Sequence, residues 1–203
     1  MIPVPIAVFV SGGGTNLQAL LDAERAGALR SGRIALTVSS SPAAFALERA
    51  QARGIPASVI ARKNYASAAD YDAAFPRLLD EYGIRLIALA GFFAVLGATV
   101  LEAYKGRIIN VHPSLLPAFG GRGFYGLKVH EAALARGVKV TGATVHFVNG
   151  VIDGGEIIAQ KAVSVHDGDT PETLQQRVMR EAEWVLYPAA TEAVCAALLR
   201  QDA

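Results

Sequence analysis

The chain has 203 residues, 52% of them hydrophobic, and its 19 basic residues stand against 18 acidic ones for a formal net charge of +1. That length and apolar share fit a single domain over residues 1–203 and exclude a disordered chain. The balanced charge gives no support for a nucleic-acid partner, and the one cysteine, Cys195, excludes an internal disulfide.

From the N-terminus, Met1-Ile2-Pro3-Val4-Pro5 lacks the basic residues of a secretory leader, and the apolar stretch after it is short. No apolar run approaches the ~20 residues of a membrane span. The expectation is a cytoplasmic protein with no membrane partner. Ile6–Val10 reads as the first strand, and Ser11-Gly12-Gly13-Gly14-Thr15-Asn16 as a glycine turn into a helix over 16–26. Glycines there let a ligand approach the backbone, and the free N–H groups of a helix start attract a phosphate. The turn lacks the Lys of a Walker loop. The second strand, near 34–38, ends in Ser39-Ser40-Ser41 rather than in an acid that holds an NAD ribose.

A helix over 43–53, a short strand at 57–60 and a helix over 68–82, kinked at Pro76, come next. Leu86–Ala90 is apolar throughout, as a strand covered on both faces should be. Strand Ile108–Val111 leads into Asn110-Val111-His112-Pro113. Alternation puts Asn110 and His112 on one face, and Pro113 ends the ladder. After the glycine-rich stretch 119–127 and a helix over 129–136, segments 141–148 and 156–165 read as strands of an antiparallel hairpin. Their connection holds Asp153-Gly154-Gly155. Thr170 and Pro171 open a last helix toward Pro188, resuming to Leu199. Strands alternating with helices predict an α/β, Rossmann-like fold: a mainly parallel central sheet, helices on both faces and an antiparallel C-terminal edge.

Asn, His and Asp form a set suited to acyl transfer: an amide donor for an oxyanion, an imidazole to move a proton, a carboxylate to fix its charge. The plainer alternative is a polar turn that satisfies its own backbone. His130 and His166 read as structural or surface residues, and His146 as a neighbour able to support the site. No cluster calls for a metal. Cys195, on an apolar helical face, reads as packing.

The string Asn110-Val111-His112-Pro113-Ser114-Leu115-Leu116-Pro117 with Asp153-Gly154-Gly155 resembles the formyltransferase family that uses 10-formyltetrahydrofolate. Ser11-Gly12-Gly13-Gly14-Thr15-Asn16-Leu17 is similar to the branch of it that acts on glycinamide ribonucleotide in purine synthesis. The resemblance runs from about Ile6 to Pro188. It implies formyl transfer from 10-formyltetrahydrofolate, as cosubstrate, to the ribonucleotide amine, with Asn110, His112 and Asp153 catalytic and the His112 pKa raised by Asp153. It further implies that Gly14, Thr15 and Asn16 meet the phosphate and that Glu183 meets the ribose. The pterin would lie between Leu89–Leu96 and the 148–153 loop. Ala94, Val95 and Leu96 would offer backbone groups, beside Asn110, and Leu89, Phe92, Leu101, Ile108 and Val148 would line the slot. Gly91 would stand where a side chain enters it.

Four departures are visible. Trp184 stands where the family has His, Ala94 and Ala68 stand where relatives carry Arg, and the spacing from Arg177 to Glu183 is one residue longer. Methionyl-tRNA formyltransferase, formyltetrahydrofolate deformylase and a non-catalytic nucleotide or folate sensor are the rival readings. The expected partners are the two small molecules, with the chain a monomer or a homodimer.

Overall fold

Strand β1 (Val4–Val10) is buried at every position but Pro5. Val4, Ile6, Val8 and Val10 enter one core cluster, and Ala7 and Phe9 enter the other. A strand with apolar neighbours on both sides has no polar face to alternate with, which is why it reads as a continuous apolar run. The computed structural model describes residues 2–202.

The remaining strands are β2 (Gly32–Ser39), β3 (Ala57–Val59), β4 (Leu86–Leu89), β5 (Ile108–His112), β6 (Val140–Phe147) and β7 (Ile157–Ser164). They form one sheet in the order β3-β2-β1-β4-β5-β6-β7. Pairings from β3 through β5 are parallel, and β5–β6 and β6–β7 are antiparallel. The α/β fold with an antiparallel C-terminal edge is therefore the one the sequence predicts. Chain order reverses between β1 and β4, and the crevice at the carboxyl ends of strands flanking such a switch is where α/β sheets bind ligands.

In chain order the helices are α1 (Thr15–Arg25), α2 (Ala46–Gln51), α3 (Ala68–Glu81), α4 (Ala98–Ala103), α5 (Leu127–Arg136), α6 (Pro171–Val178) and α7 (Trp184–Gln201). Buried residues of α3 and α4 pack on one sheet face, and those of the other five pack on the opposite face. Helix α4 is absent from the sequence reading. Its start is capped from a distance, by the Asp72 carboxylate accepting from Thr99 N–H at 2.8 Å. Helix α2 is shorter than the 43–53 expected, because Ser41–Ala44 forms a turn closed by the Ala44 N–H.

The break expected at Pro188 does not occur. Helix α6 runs through a π-helical turn, Met179–Glu183, into α7 with Pro188 inside it. A proline inside a helix costs about 3 kcal/mol. Tyr187, Ala190, Val194, Cys195 and Leu198 are buried along α7, and each large apolar side chain among them contributes about 1.5–3 kcal/mol, which outweighs it. The helical run Pro171–Gln201 is also long and apolar enough to cross a membrane by length and composition, contrary to the sequence reading, but half of its most apolar window is buried inside the fold.

Candidate active site

A cleft of about 990 Å³ opens at the carboxyl ends of β1, β4 and β5. Asn110, His112 and Asp153 all line it, as do Gly14, Thr15, Asn16 and Glu183. The slot residues Leu89, Phe92, Ala94, Val95, Leu96, Leu101 and Val148 line it too. Ile108 does not. It shares the face of Asn110 but sits two residues deeper in β5, where it is 1% exposed in the core. Its part is indirect: its carbonyl accepts from Val148 N–H at 2.9 Å and holds the far wall of the slot. Gly91 lines the slot with φ +72, and a Cβ there would meet nothing within 4 Å. Glycine at 91 thus supplies a left-handed turn, and a side chain there would meet no protein atom but stand in the cleft that Gly91 lines.

His112 and His146 converge on one carboxylate, that of Asp153. Asp153 Oδ2 lies 3.6 Å from His112 Nδ1, and Oδ1 lies 3.6 Å from His146 Nε2. Oδ2 also accepts from Gly121 N–H at 2.8 Å. His112 Nε2 donates to the Phe119 carbonyl at 2.8 Å, so its Nδ1 is the nitrogen that faces the acid. Among the described residues, Phe119 (φ 52) and Asp153 (φ 54) are the non-glycine residues with left-handed backbone. Both hold His112. Such conformations cost of order 1–3 kcal/mol and persist where the surrounding structure enforces them.

Burial pushes the His112 imidazole below its ordinary value, and the Asp153 charge and Phe119 carbonyl counter only part of this. The expected upward influence of Asp153 is present, but the net direction is down. For Asp153, burial acts to raise the carboxyl, but the hydrogen bonds and charges beside it, the Gly121 N–H and His112 among them, outweigh it and hold it below the usual range. The site thus pairs a carboxylate held low with an imidazole whose protonated form that carboxylate favours against the effect of burial.

At the other end, α1 begins at Gly14 (φ 71) with no side chain capping its first turn, so its N–H groups face the cleft free. Arg49 of α2 donates through Nε to the Gly13 carbonyl at 2.8 Å and braces the turn. A Cβ on Gly14 would come 2.6 Å from the Ala46 Cβ, so the close approach of α2 requires glycine there. Glu183 is buried and accepts from Asn16 Nδ2 at 2.6 Å, and burial raises its carboxyl. The π turn Met179–Glu183 lies within the Arg177-to-Glu183 spacing that the resemblance makes one residue longer than in the family. A π turn takes up one residue without rotating the helix downstream of it, which keeps Glu183 facing Asn16.

The sequence reading missed several contributors. The stretch 119–126 lies against the acid, supplying the Phe119 carbonyl and the Gly121 N–H. His130 lines the cleft from a fully buried position with both ring nitrogens unpartnered, and burial with nearby His112 pushes it down to about 4. Gln175 and Met179 line the cleft as well. His166 lies in an exposed turn, its N–H donating to Asp169. Cys195 is buried outside the cleft, its thiol pushed up to about 12 by burial. Among the described residues no group of three His, Cys, Asp or Glu is placed to hold a metal ion.

An uncapped helix start, an apolar slot and an Asn–His–Asp set in one cleft define a group-transfer enzyme of the α/β class. The chain belongs to the formyl transferase family, whose model matches residues 4–191. It is 43% identical over 187 residues to the phosphoribosylglycinamide formyltransferase of Bacillus subtilis (strain 168), covering 90% of each chain. It is 42% identical to part of the trifunctional purine biosynthetic protein adenosine-3 of Homo sapiens, covering 93% of this chain but spanning only 18% of that protein. The crystal structure of glycinamide ribonucleotide transformylase 1 from Symbiobacterium toebii superposes with a TM-score of 0.90 at 42% identity, covering 96% of this chain and 89% of that one.

Proposed function

We propose that this chain transfers the formyl group of 10-formyltetrahydrofolate to the amine of glycinamide ribonucleotide in de novo purine synthesis. The observation that carries the reading is that Asn110, His112 and Asp153 line the same cleft as an uncapped helix start and an apolar slot. The ribonucleotide phosphate meets the N–H groups of Gly14, Thr15 and Asn16, and Glu183 takes the ribose hydroxyls. The pterin enters the slot, edge-bonded by backbone at Ala94, Val95 and Leu96 and flanked by Leu89, Phe92, Leu101 and Val148. Phe92 serves both core and slot, its ring packing edge-on against Phe9 at 5.2 Å between centroids.

The amine attacks the formyl carbon, and the oxygen gains negative charge that an Asn110 N–H and protonated His112 stabilise. The amine loses a proton and folate N10 gains one as the C–N10 bond breaks. Asp153 and His112 carry that transfer. The step uses no metal and no covalent enzyme intermediate.

The experiment compares glycinamide ribonucleotide with its dephosphorylated riboside, following folate absorbance. The ribonucleotide is formylated, and kcat/KM for the riboside falls by at least about a hundredfold, the loss of about two charge-assisted hydrogen bonds at about 1.5–3 kcal/mol each. Equal rates would remove the phosphate assignment. Formate released with no acceptor present would indicate a deformylase, and transfer to methionyl-tRNA alone would indicate that enzyme instead.

A further inference from the structure

His146 is not in the acid–base set, yet it is 1% exposed and touches two members of that set. Its partner across the sheet is Asn110, the residue directly opposite it in the β5–β6 pairing. Its Nδ1 lies 2.8 Å from the Phe147 carbonyl. A carbonyl only accepts, so Nδ1 carries the hydrogen. Its Nε2 lies 3.2 Å from Asn110 Nδ2. An amide nitrogen only donates, so Nε2 presents its lone pair. The Asp153 carboxylate, 3.6 Å from the same Nε2, is beyond hydrogen-bond reach. Among the described residues the Asn110 side chain makes no other hydrogen bond.

We propose that His146 is a positioning residue that sets which way the Asn110 amide faces. With the Nδ1–H tautomer fixed by the Phe147 carbonyl, a flipped amide would set Oδ1 against the Nε2 lone pair, two acceptors in contact. The amide therefore keeps its nitrogen toward His146, spends one N–H there, and offers the other N–H to the formyl oxygen. Without His146 the amide turns freely, and the orientation with Oδ1 toward the developing oxyanion repels it. Preorganisation of this kind costs nothing at the moment of reaction, which is what gives it its value in catalysis. The role of the amide rests on the function proposed above.

Two measurements test it. In the wild-type protein, imidazole ¹⁵N shifts at neutral pH should show His146 as the Nδ1–H tautomer. An Nε2–H tautomer or an imidazolium overturns the proposal. In kinetics, His146→Leu should lower kcat about tenfold to a hundredfold, below the full 10²–10³ of a lost oxyanion donor, with both KM values nearly unchanged. In an Asn110→Ala background the same substitution should cost less than about twofold, because a residue acting through Asn110 has nothing left to orient. Full penalties that multiply in the double variant overturn it. If the tautomer is found but the wild type transfers no formyl group, the function reading fails and the role of the amide falls with it. If transfer is normal and the tautomer is wrong, this inference alone fails.

Discussion

Asp153→Asn lowers kcat by at least about a hundredfold, while both substrates still bind and the fold is intact. The scale is that of general acid–base contributions, about 10²–10⁴. The substitution is nearly isosteric, and asparagine is among the residues that best tolerate the left-handed backbone at this position (φ 54). Its Oδ1 can still accept from Gly121 N–H, which the carboxylate now holds at 2.8 Å. The substitution removes the charge facing His112 Nδ1. Burial already pushes that imidazole down, and the Asp153 charge is the largest influence acting the other way. Removing it lowers the His112 pKa further, so the imidazolium that helps hold the oxyanion becomes scarcer. The limb of the kcat–pH profile that reports His112 should accordingly move to lower pH. Were Asp153 merely a turn former, asparagine would serve as well. A near-normal kcat would therefore end its catalytic assignment.

The parts of this molecule that are legible in its sequence are those fixed by local pattern. The strands β1 and β4 read correctly because each is covered on both faces and is apolar almost throughout, and β5 because it opens on the apolar pair Ile108-Ile109. Asn110 and His112 could be placed together because strand alternation is strict. The capping at Thr170 was legible for the same reason: its oxygen accepts from the N–H of Thr173, three residues on. Contacts that depend on distant chain were not legible. Helix α4 starts where it does because of Asp72, 27 residues earlier. The glycine-rich stretch offered no signal that its Phe119 carbonyl would hold His112, or that Gly121 would hold Asp153. Ile108 was misplaced because parity gives the face of a strand but not the depth at which a cleft ends. Likewise the neighbours of His112 suggested a raised pKa, whereas burial, which only the fold reveals, sets its direction.

Gly155→Ala should be the most damaging small substitution in the connection that carries Asp153. A Cβ on Gly155 would lie 1.7 Å from the Phe147 carbonyl oxygen and 2.7 Å from its carbon. Both are backbone atoms, so no side chain can swing aside. The neighbouring Phe147 N–H donates to the Glu156 carbonyl at 2.8 Å, closing the hairpin, and the crowded carbonyl is the one that accepts from His146 Nδ1. Relieving the clash means moving either the base of the Asp153 turn or the carbonyl that fixes His146. The expected loss of stability is about 1–3 kcal/mol, as for other overpacked sites. At this chain length that corresponds to about 2–4 °C in Tm per kcal/mol. kcat should fall at least about tenfold at temperatures where the variant is still folded, since a displacement of about 1 Å at a catalytic group costs up to about a hundredfold. Gly150→Ala is the control. It lies in the same connection, and a Cβ there would meet no protein atom within 4 Å, so Tm should stay near wild type. If the two variants behave alike, the close approach at Gly155 does not govern the geometry of Asp153 and His146, and the turn must be held by the contacts of the carboxylate itself.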